Sequence, residues 1–262
     1  IPRPVGGDEM GLSEPLLRKL RERDAFCDSW ASATSKRAVK PLVAGRDMIV
    51  AANTDQALCI GALQAVRVED RRPQVIVLAP PGEFLRELSL ILQRKMLELD
   101  GIGADIHAFC NNNKPGSTTT ASEDIERLER GVHIAIGYPG RILDLLRGGM
   151  WTRPVHADAI KLVLIDHTLQ MDTQPQMDYE EAIRNLITFL RTKAGRPDIQ
   201  LGVFLGSTEA LPPRLAEFRD KFLRRPVHTS AWHWHTRREL RELTLEGIKQ
   251  FYVMVDREEW KL

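Results

Sequence analysis

The amino-acid sequence predicts an α/β protein built on a doubly wound parallel sheet with helices on both faces. Strand-like runs alternate with helix-like ones along the chain, which is the order that a parallel sheet with helical crossovers requires. Most strand-like runs are apolar at every position, as strands covered on both faces are. The chain is 43% apolar and 28% charged over 262 residues, which suits a globular protein with a sizeable core.

The individual elements are visible as short apolar runs and amphipathic segments. The predicted strands cover residues 48–52, 74–79, 105–109, 133–137, 161–166, 200–205 and 250–255. The first helix carries Leu16, Leu17 and Leu20 on one face behind Ser13, a candidate N-cap. The predicted helices cover residues 13–23, 36–44, 83–97, 122–130, 139–147, 178–193 and 212–222. Functional residues are therefore expected where these strands end, because ligands of such sheets bind at the carboxyl ends of the strands.

Composition narrows the function classes. The net charge of +1 neither marks a nucleic-acid-binding protein nor excludes one. The three cysteines, Cys27, Cys59 and Cys110, form no CxxC pair, which argues against a disulfide framework and a zinc site and favours a reducing compartment. The longest apolar runs are strand-sized and the first residues lack an apolar signal core, so neither a membrane span nor a signal peptide is predicted. The chain begins with Ile1, so we expect a fragment or a processed form.

The organisation along the chain predicts four parts. Residues 1–10 form an N-terminal extension and residues 11–223 a single α/β domain. Residues 224–243 are predicted to be a linker. Residues 244–262 contain one strand without a sheet of its own, so they are expected to start a second, truncated domain.

Six ordered segments resemble one protein family. They are GLSEPLLRKL, RAVKPLVAGRDMIV, VIVLAPPGEF, HIAIGYPGRILDLL, KLVLID and LGVFLGST. In this order they resemble the first RecA-like domain of DEAD-box RNA helicases. The final ELTLEGIKQFYVMVDREEWKL is similar to the start of the second RecA-like domain in the branch of initiation factor 4A and its exon-junction-complex relative. The resemblance implies a RecA-like sheet that binds ATP and RNA.

The phosphate-binding motif of that family departs from its usual form here. The family uses AxxGxGKT, in which backbone N–H groups and a lysine hold the phosphates and the threonine holds magnesium. This chain has AANTDQALC, with Leu58 or, allowing for a gap, no residue at the lysine position, and Cys59 near the threonine position. No Lys or Arg lies between Arg46 and Arg67, so the sequence predicts no phosphate cradle in this stretch. The altered nucleotide-binding positions there are Thr54, Asp55, Gln56 and Ala57.

The motif that names the family is DHTL in this chain. Asp166 stands at the aspartate that positions magnesium, and His167 replaces the glutamate that orients water in the family. A turn or helix cap is the simpler interpretation of Asp166. His167 has the titration range of a substitute base, but without a phosphate cradle that role has no substrate.

Two further nucleotide motifs also differ. Ser35 stands near the glutamine with which the family binds adenine, and a serine cannot make that paired amide contact. The family's SAT motif is Gly206, Ser207 and Thr208 here. These changes predict that ATP turnover is lost, that the chain is not an enzyme, and that it uses neither a cofactor nor a metal.

The RNA-binding motifs are partly kept. The family's TPGR appears as Tyr138 followed by Pro139, Gly140 and Arg141. A helix N-terminus with an arginine can hold a backbone phosphate, although Pro139 and Gly140 could equally just begin a helix. The two interpretations stay open, and any RNA binding at these three residues is expected to be weak and salt-dependent. The segment HTSAWHWH at 228–235 lacks a carboxylate or thiolate partner, so a packing role is preferred to a metal site.

Three functions remain open from the sequence. The first is a pseudo-helicase, a binding module in a translation, splicing or other ribonucleoprotein assembly, with a protein partner that the family resemblance suggests is a helical-repeat scaffold. The alternative is an ATP-dependent RNA helicase of the initiation factor 4A group with aberrant motifs, which would use ATP and magnesium. The third is a weak RNA-binding remnant. All three are expected inside the cell, with cytoplasm and nucleus undecided.

Overall fold

The structure is a computed structural model that describes residues 10–22, 33–51, 55–79, 85–109, 121–147, 157–166, 177–205 and 213–230. The chain divides into two units, residues 1–230 and 231–262. All the described residues lie in the first unit, which contains the predicted α/β domain. The predicted strand at 250–255 and the segment 231–262 lie outside the described residues.

Seven strands and eight α-helices alternate through the described residues. The strands are β1 (Met48–Ala51), β2 (Val75–Leu78), β3 (Ile106–Phe109), β4 (Ile134–Gly137), β5 (Leu162–Ile165), β6 (Gln200–Phe204) and β7 (Val227–Ser230). The helices are α1 (Glu14–Glu22), α2 (Ala33–Val43), α3 (Asp55–Gln64), α4 (Leu85–Leu99), α5 (Ala121–Gly131), α6 (Pro139–Leu146), α7 (Met177–Thr192) and α8 (Pro213–Phe222). A short 3-10 helix, Ala157–Ala159, precedes β5. No helix of the described residues is long and apolar enough to cross a lipid bilayer.

The strands form one parallel sheet in the order β3-β4-β2-β5-β6-β1-β7. Every pairing in it is parallel, with Ile76 opposite Val163 and Ile49 opposite Val203 as examples of the register. All carboxyl ends of the strands therefore meet at one edge of the sheet. The predicted fold class, a RecA-like doubly wound sheet, is confirmed.

The main apolar core fills one face of the sheet. Side chains of α6, α7 and α8, including Tyr179, Leu186 and Phe218, pack there against alternate strand residues such as Val163 and Val203. Helices α2, α3 and α4 pack with one another, and α3 also contacts β5. Strands β2, β4 and β5 are buried on both faces because helices cover both, as the continuous apolar runs predict.

Two elements differ from the sequence-based expectation. Helix α3 is absent from the predicted helices because Ala57 to Leu63 are all buried, so the segment has no polar face and no amphipathic period. Strand β7 lies in the stretch predicted to be a linker. It pairs with β1, and its N-terminal residue Val227 donates its backbone N–H to the carbonyl of Asp47 at 2.8 Å.

Asp47 joins three segments at the amino edge of the sheet. Its side chain is 3% exposed. One carboxylate oxygen accepts a hydrogen bond from the backbone N–H of Leu201 at 2.9 Å, and the other accepts from that of Arg224 at 2.7 Å. The residue thereby ties the start of β6 and the approach to β7 to β1.

Candidate functional site

The carboxyl edge of the sheet carries an ion pair at the start of α3. Asp55 lies in the first turn of α3, which follows β1. The ammonium nitrogen of Lys95, from α4, lies 2.5 Å from a carboxylate oxygen of Asp55. The Lys95 side chain is 42% exposed and that of Asp55 22%, so the ammonium can exchange partners with a ligand from solvent. The structure thus brings a cation to a helix that has none of its own.

Behind this pair, α3 presents buried apolar side chains. Leu58 and Cys59 are both fully buried. Burial, followed by the negative charge of Asp55, raises the pKa of the Cys59 thiol far above its ordinary range, so the sulfur stays protonated and unreactive. Ala57 is buried and Gln56 is half-buried in the same helix.

Asp166 lies directly after β5 and is 2% exposed. Its backbone N–H donates to the carbonyl of Leu78 at 2.9 Å, which continues the ladder between β5 and β2. Tyr179 of α7 is fully buried, and its hydroxyl has no hydrogen-bond partner among the described residues. Burial, followed by the charge of Asp166, raises the pKa of Tyr179 well above its usual value. Asp166 is therefore a buried carboxylate beside a neutral phenol.

Arg141, predicted to contact RNA, is held by a carboxylate of the protein. Its guanidinium donates a hydrogen bond of 2.6 Å to Asp124 of α5. The two side chains are only 14% and 3% exposed. Tyr138 precedes α6 and makes no side-chain capping hydrogen bond, and Pro139 occupies the first turn. Pro139, Gly140 and Arg141 therefore begin a helix, and the arginine charge is directed into the fold.

The remaining predicted positions lie in α2, in β7 or outside the described residues. Ser35 lies in α2, while Thr54, His167, Gly206 and Thr208 lie outside the described residues. His228 lies in β7 opposite Ile49, at the edge of the sheet. Across the described ranges, no group of three or more His, Cys, Asp or Glu side chains is arranged to hold a metal ion.

Sequence reasoning missed Lys95. The contiguous stretch between Arg46 and Arg67 contains no cation, whereas Lys95 comes from α4. One signal was available: Lys95 stands among Leu92, Met96 and Leu99, which form the buried stripe of α4. A lysine beside an apolar stripe can lay its stem along a neighbouring element and bring its ammonium to a charge there.

A model of the "DEAD/DEAH box helicase" family matches residues 32–208. The chain belongs to this family. It is 35% identical over 259 residues to eukaryotic initiation factor 4A-9 of Nicotiana tabacum, covering 97% of this chain and 54% of the relative. It is 34% identical to eukaryotic initiation factor 4A-1 of Arabidopsis thaliana, covering 97% and 55%. The chain spans about half the length of these curated relatives.

Solved structures share the fold of this helicase-family chain. A DEAD box protein from Methanococcus jannaschii has a TM-score of 0.66 and 19% identity over 86% of this chain and 55% of its own. S. cerevisiae Dbp5 bound to RNA and ADP BeF3 has a TM-score of 0.60 and 21% identity over 85% and 51%. Dbp5 bound to Nup159 and Gle1 has a TM-score of 0.60 and 21% identity over 84% and 52%. At these identities the likeness shows the fold alone.

The prediction that this chain is not an enzyme is wrong. The family is one of helicases, and the initiation factor 4A relatives match nearly the whole chain. The prediction rested on a missing lysine within one stretch of sequence. The fold shows the weakness of that argument, because Lys95 reaches the same helix from a distant position.

Proposed function

We propose that this chain contains the first RecA-like domain of an ATP-dependent RNA helicase of the initiation factor 4A group. Its family membership and its relatives support the proposal. We propose the domain division given above, with residues 11–223 as the first RecA-like domain, although the sheet also takes in β7, and with 244–262 as the start of the second. The expectation of no cofactor gives way here to ATP with magnesium.

One observation carries the nucleotide part of this proposal: Lys95 lies against Asp55 in the first turn of α3. The N-terminus of a helix favours anions, because its free N–H groups and dipole are positive. Asp55 alone would oppose a triphosphate there, whereas an adjacent ammonium neutralises it. A nucleotide that displaces Asp55 from Lys95 gains the cation for its phosphates. Lys95 thus does from α4 what a lysine within α3 does in the family motif.

The residues at this edge fit the nucleotide in charge type. Lys95 is the ammonium for the phosphates, and Asp166 is a buried carboxylate, the ligand type that magnesium prefers. Magnesium bound to the nucleotide would neutralise charge on the phosphate oxygens. Cys59 supplies no hydroxyl, and its buried thiol is protonated, so α3 offers the metal no ligand at that position. Asp166 therefore carries the metal-positioning role on the protein side.

RNA and protein partners complete the proposal. Dbp5, of the same fold, is bound to RNA in one structure and to Nup159 and Gle1 in another, which supports an RNA-related assembly for this chain. A helical-repeat scaffold remains our suggestion for the type of protein partner, and the initiation factor 4A relatives support a location inside the cell. Because Arg141 is engaged by Asp124, RNA contact at the start of α6 is proposed to use backbone N–H groups first.

The decisive experiment is an equilibrium titration of the chain with a fluorescent ATP analogue in the presence of magnesium. We expect saturable binding by the unaltered protein. Lys95→Gln should weaken it by about 10- to 150-fold, because a hydrogen bond to a charged group contributes about 1.5–3 kcal/mol. Asp55→Asn should tighten binding, because it frees Lys95 and removes a negative charge from the phosphate site.

Arg94→Gln is the matched control, because Arg94 is the exposed neighbour of Lys95 on α4. It should leave the affinity unchanged. Equal affinity in Lys95→Gln and the unaltered protein would remove the assigned role of Lys95. Absence of saturable, magnesium-dependent binding would remove the ATP-dependent function itself, and RNA-stimulated hydrolysis by the full chain would then also be absent.

A further inference from the structure

A pocket opens at the amino edge of the sheet, opposite the edge that carries Asp55 and Asp166. Its volume is about 280 Å³. It lies where β5 and β6 begin, at Leu162 and Gln200, and where α2 and α3 end. Because strands of a parallel sheet all run in one direction, this pocket is separated from the proposed nucleotide site by the length of the strands.

Two cations line this amino-edge pocket: Arg67, just beyond the end of α3, and Lys161, just before β5. Within the described part of the chain, neither side chain forms an ion pair with a carboxylate. The carboxylate that acts on Lys161 through space is Asp70. Arg72 already holds Asp70 through two hydrogen bonds, of 2.8 and 2.7 Å. Among the described residues, Arg67 and Lys161 therefore have no carboxylate in contact with them.

The proximity of the two cations affects the pKa of Lys161. Burial, followed by the charge of Arg67, lowers the pKa of Lys161 below its ordinary value, with a smaller contribution of the same sign from Arg196. Two like charges that face a concave, half-buried space destabilise each other. An anion placed between them would relieve that repulsion.

The polar backbone groups at the pocket do not supply the missing negative charge. The carbonyl of Leu42, at the end of α2, accepts from Gly45 and from the side chain of Gln200 at 3.1 and 3.0 Å. The carbonyls of Gly61 and Leu63 in α3 accept from Ala65 and Val66. These acceptors are satisfied within the fold, so the two cations remain available to a ligand.

We propose that the amino-edge pocket binds a small phosphate-bearing ligand, held between Arg67 and Lys161. A phosphate dianion matches two cations in charge, and an arginine fork is suited to its geometry. A water molecule occupies about 30 Å³ in the liquid, so 280 Å³ holds a phosphate group with a small organic substituent. The site is independent of the proposed ATP site, since it shares no residue with it.

The test follows backbone amides of the isotopically labelled full chain during titration with sodium phosphate. The pH is held at about 7.5, where phosphate is mainly dianionic because its second pKa is about 6. Sodium chloride keeps the ionic strength constant, since bulk screening would otherwise mimic binding. We expect saturable shifts at Gly45, Ala65 and Val66, which line the pocket. A second titration with glycerol 3-phosphate separates the two sources: tighter binding identifies a phosphate ester, and equal or weaker binding identifies free phosphate.

Substitutions of Arg67 and Lys161 test whether these two cations bind the phosphate. Lys161→Gln and Arg67→Gln should each weaken phosphate binding about tenfold, and the double variant should abolish it. Lys161→Arg keeps the charge and should keep the binding. Lys193→Gln, at an exposed lysine after α7, should leave phosphate binding unchanged. No saturable shift in the unaltered protein, or undiminished binding in the double variant, would overturn the proposal.

Discussion

Removing the carboxylate of Asp124 should destabilise the fold strongly, because it leaves the guanidinium of Arg141 buried without its carboxylate partner. The solvent exposure of the two side chains determines how much unfolding free energy is lost. The two side chains are 3% and 14% exposed, so the pair belongs with buried ion pairs and not with surface pairs, whose contribution is about 0–1 kcal/mol. The Nε of Arg141 is also buried, with no hydrogen-bond partner among the described residues. Asp124→Ala should therefore cost about 3–5 kcal/mol of unfolding free energy.

Urea unfolding measures this cost. With a slope of about 1–3 kcal/mol per molar urea, the midpoint should fall by about 1 M or more. Glu126→Ala is the matched control, because Glu126 lies on the same helix and pairs with Arg130 at side-chain exposures of 63% and 73%. That variant should lose less than about 1 kcal/mol.

A double variant distinguishes the energy of the lost ion pair from the cost of leaving one buried charge unpaired. Asp124→Leu with Arg141→Met replaces both partners by apolar side chains, and such replacements are often neutral. We expect its stability to return close to that of the unaltered protein. If Asp124→Ala costs no more than Glu126→Ala, the buried-pair reasoning is refuted.

The same double variant tests RNA contact more cleanly than a charge reversal of Arg141. Arg141→Glu would place two carboxylates together in a buried space, so a loss of RNA retention could reflect unfolding. The folded double variant removes the arginine without that conflict. RNA retention that survives in it would show that Arg141 is a structural residue.

Two further predictions concern the fold. Asp47→Asn should cost about 1–3 kcal/mol, because the amide cannot accept from both Leu201 and Arg224; an unchanged urea midpoint would contradict this. Burial, followed by the charge of Arg127, lowers the pKa of His107 below 6.5 in the folded state. The unfolded chain therefore takes up the proton first, so this part of the stability is present above pH 6.5 and is lost as the pH falls through the folded pKa. His107→Gln should flatten that decline in unfolding experiments between about pH 8 and pH 5, and an identical pH profile would contradict the assignment.

The sequence predicts most elements of this fold because their burial leaves a pattern in the chain. Strands β1, β2, β4 and β5 are runs that helices cover on both faces, so every position is apolar. Helices such as α1 and α7 alternate between core and solvent with helical period. Helix α3 lacks this amphipathic pattern because Ala57 to Leu63 are all buried. Strand β7 is not predicted because its place at the edge of the sheet depends on pairing with β1, which no local pattern encodes.

In the candidate site, too, some residues could be predicted from the sequence and others could not. Asp166 is predictable, because a carboxylate after an apolar run marks the end of a strand. The pairs Lys95–Asp55 and Arg141–Asp124 are not, since each joins residues on different elements. The position of a charge in the chain does not reveal which charge faces it. For that reason the missing lysine of α3 led to a wrong prediction about enzymatic function.

The sequence by itself determined the family, the parallel sheet and the edge at which the ligand site lies. These follow from hydrophobic period and ordered motifs, which are local properties of the chain. Only the tertiary structure decided which cation reaches α3, which carboxylate engages Arg141, and that Arg67 and Lys161 line one pocket. Electrostatic energy depends on distance and burial in space, and packing brings together residues that the chain keeps far apart.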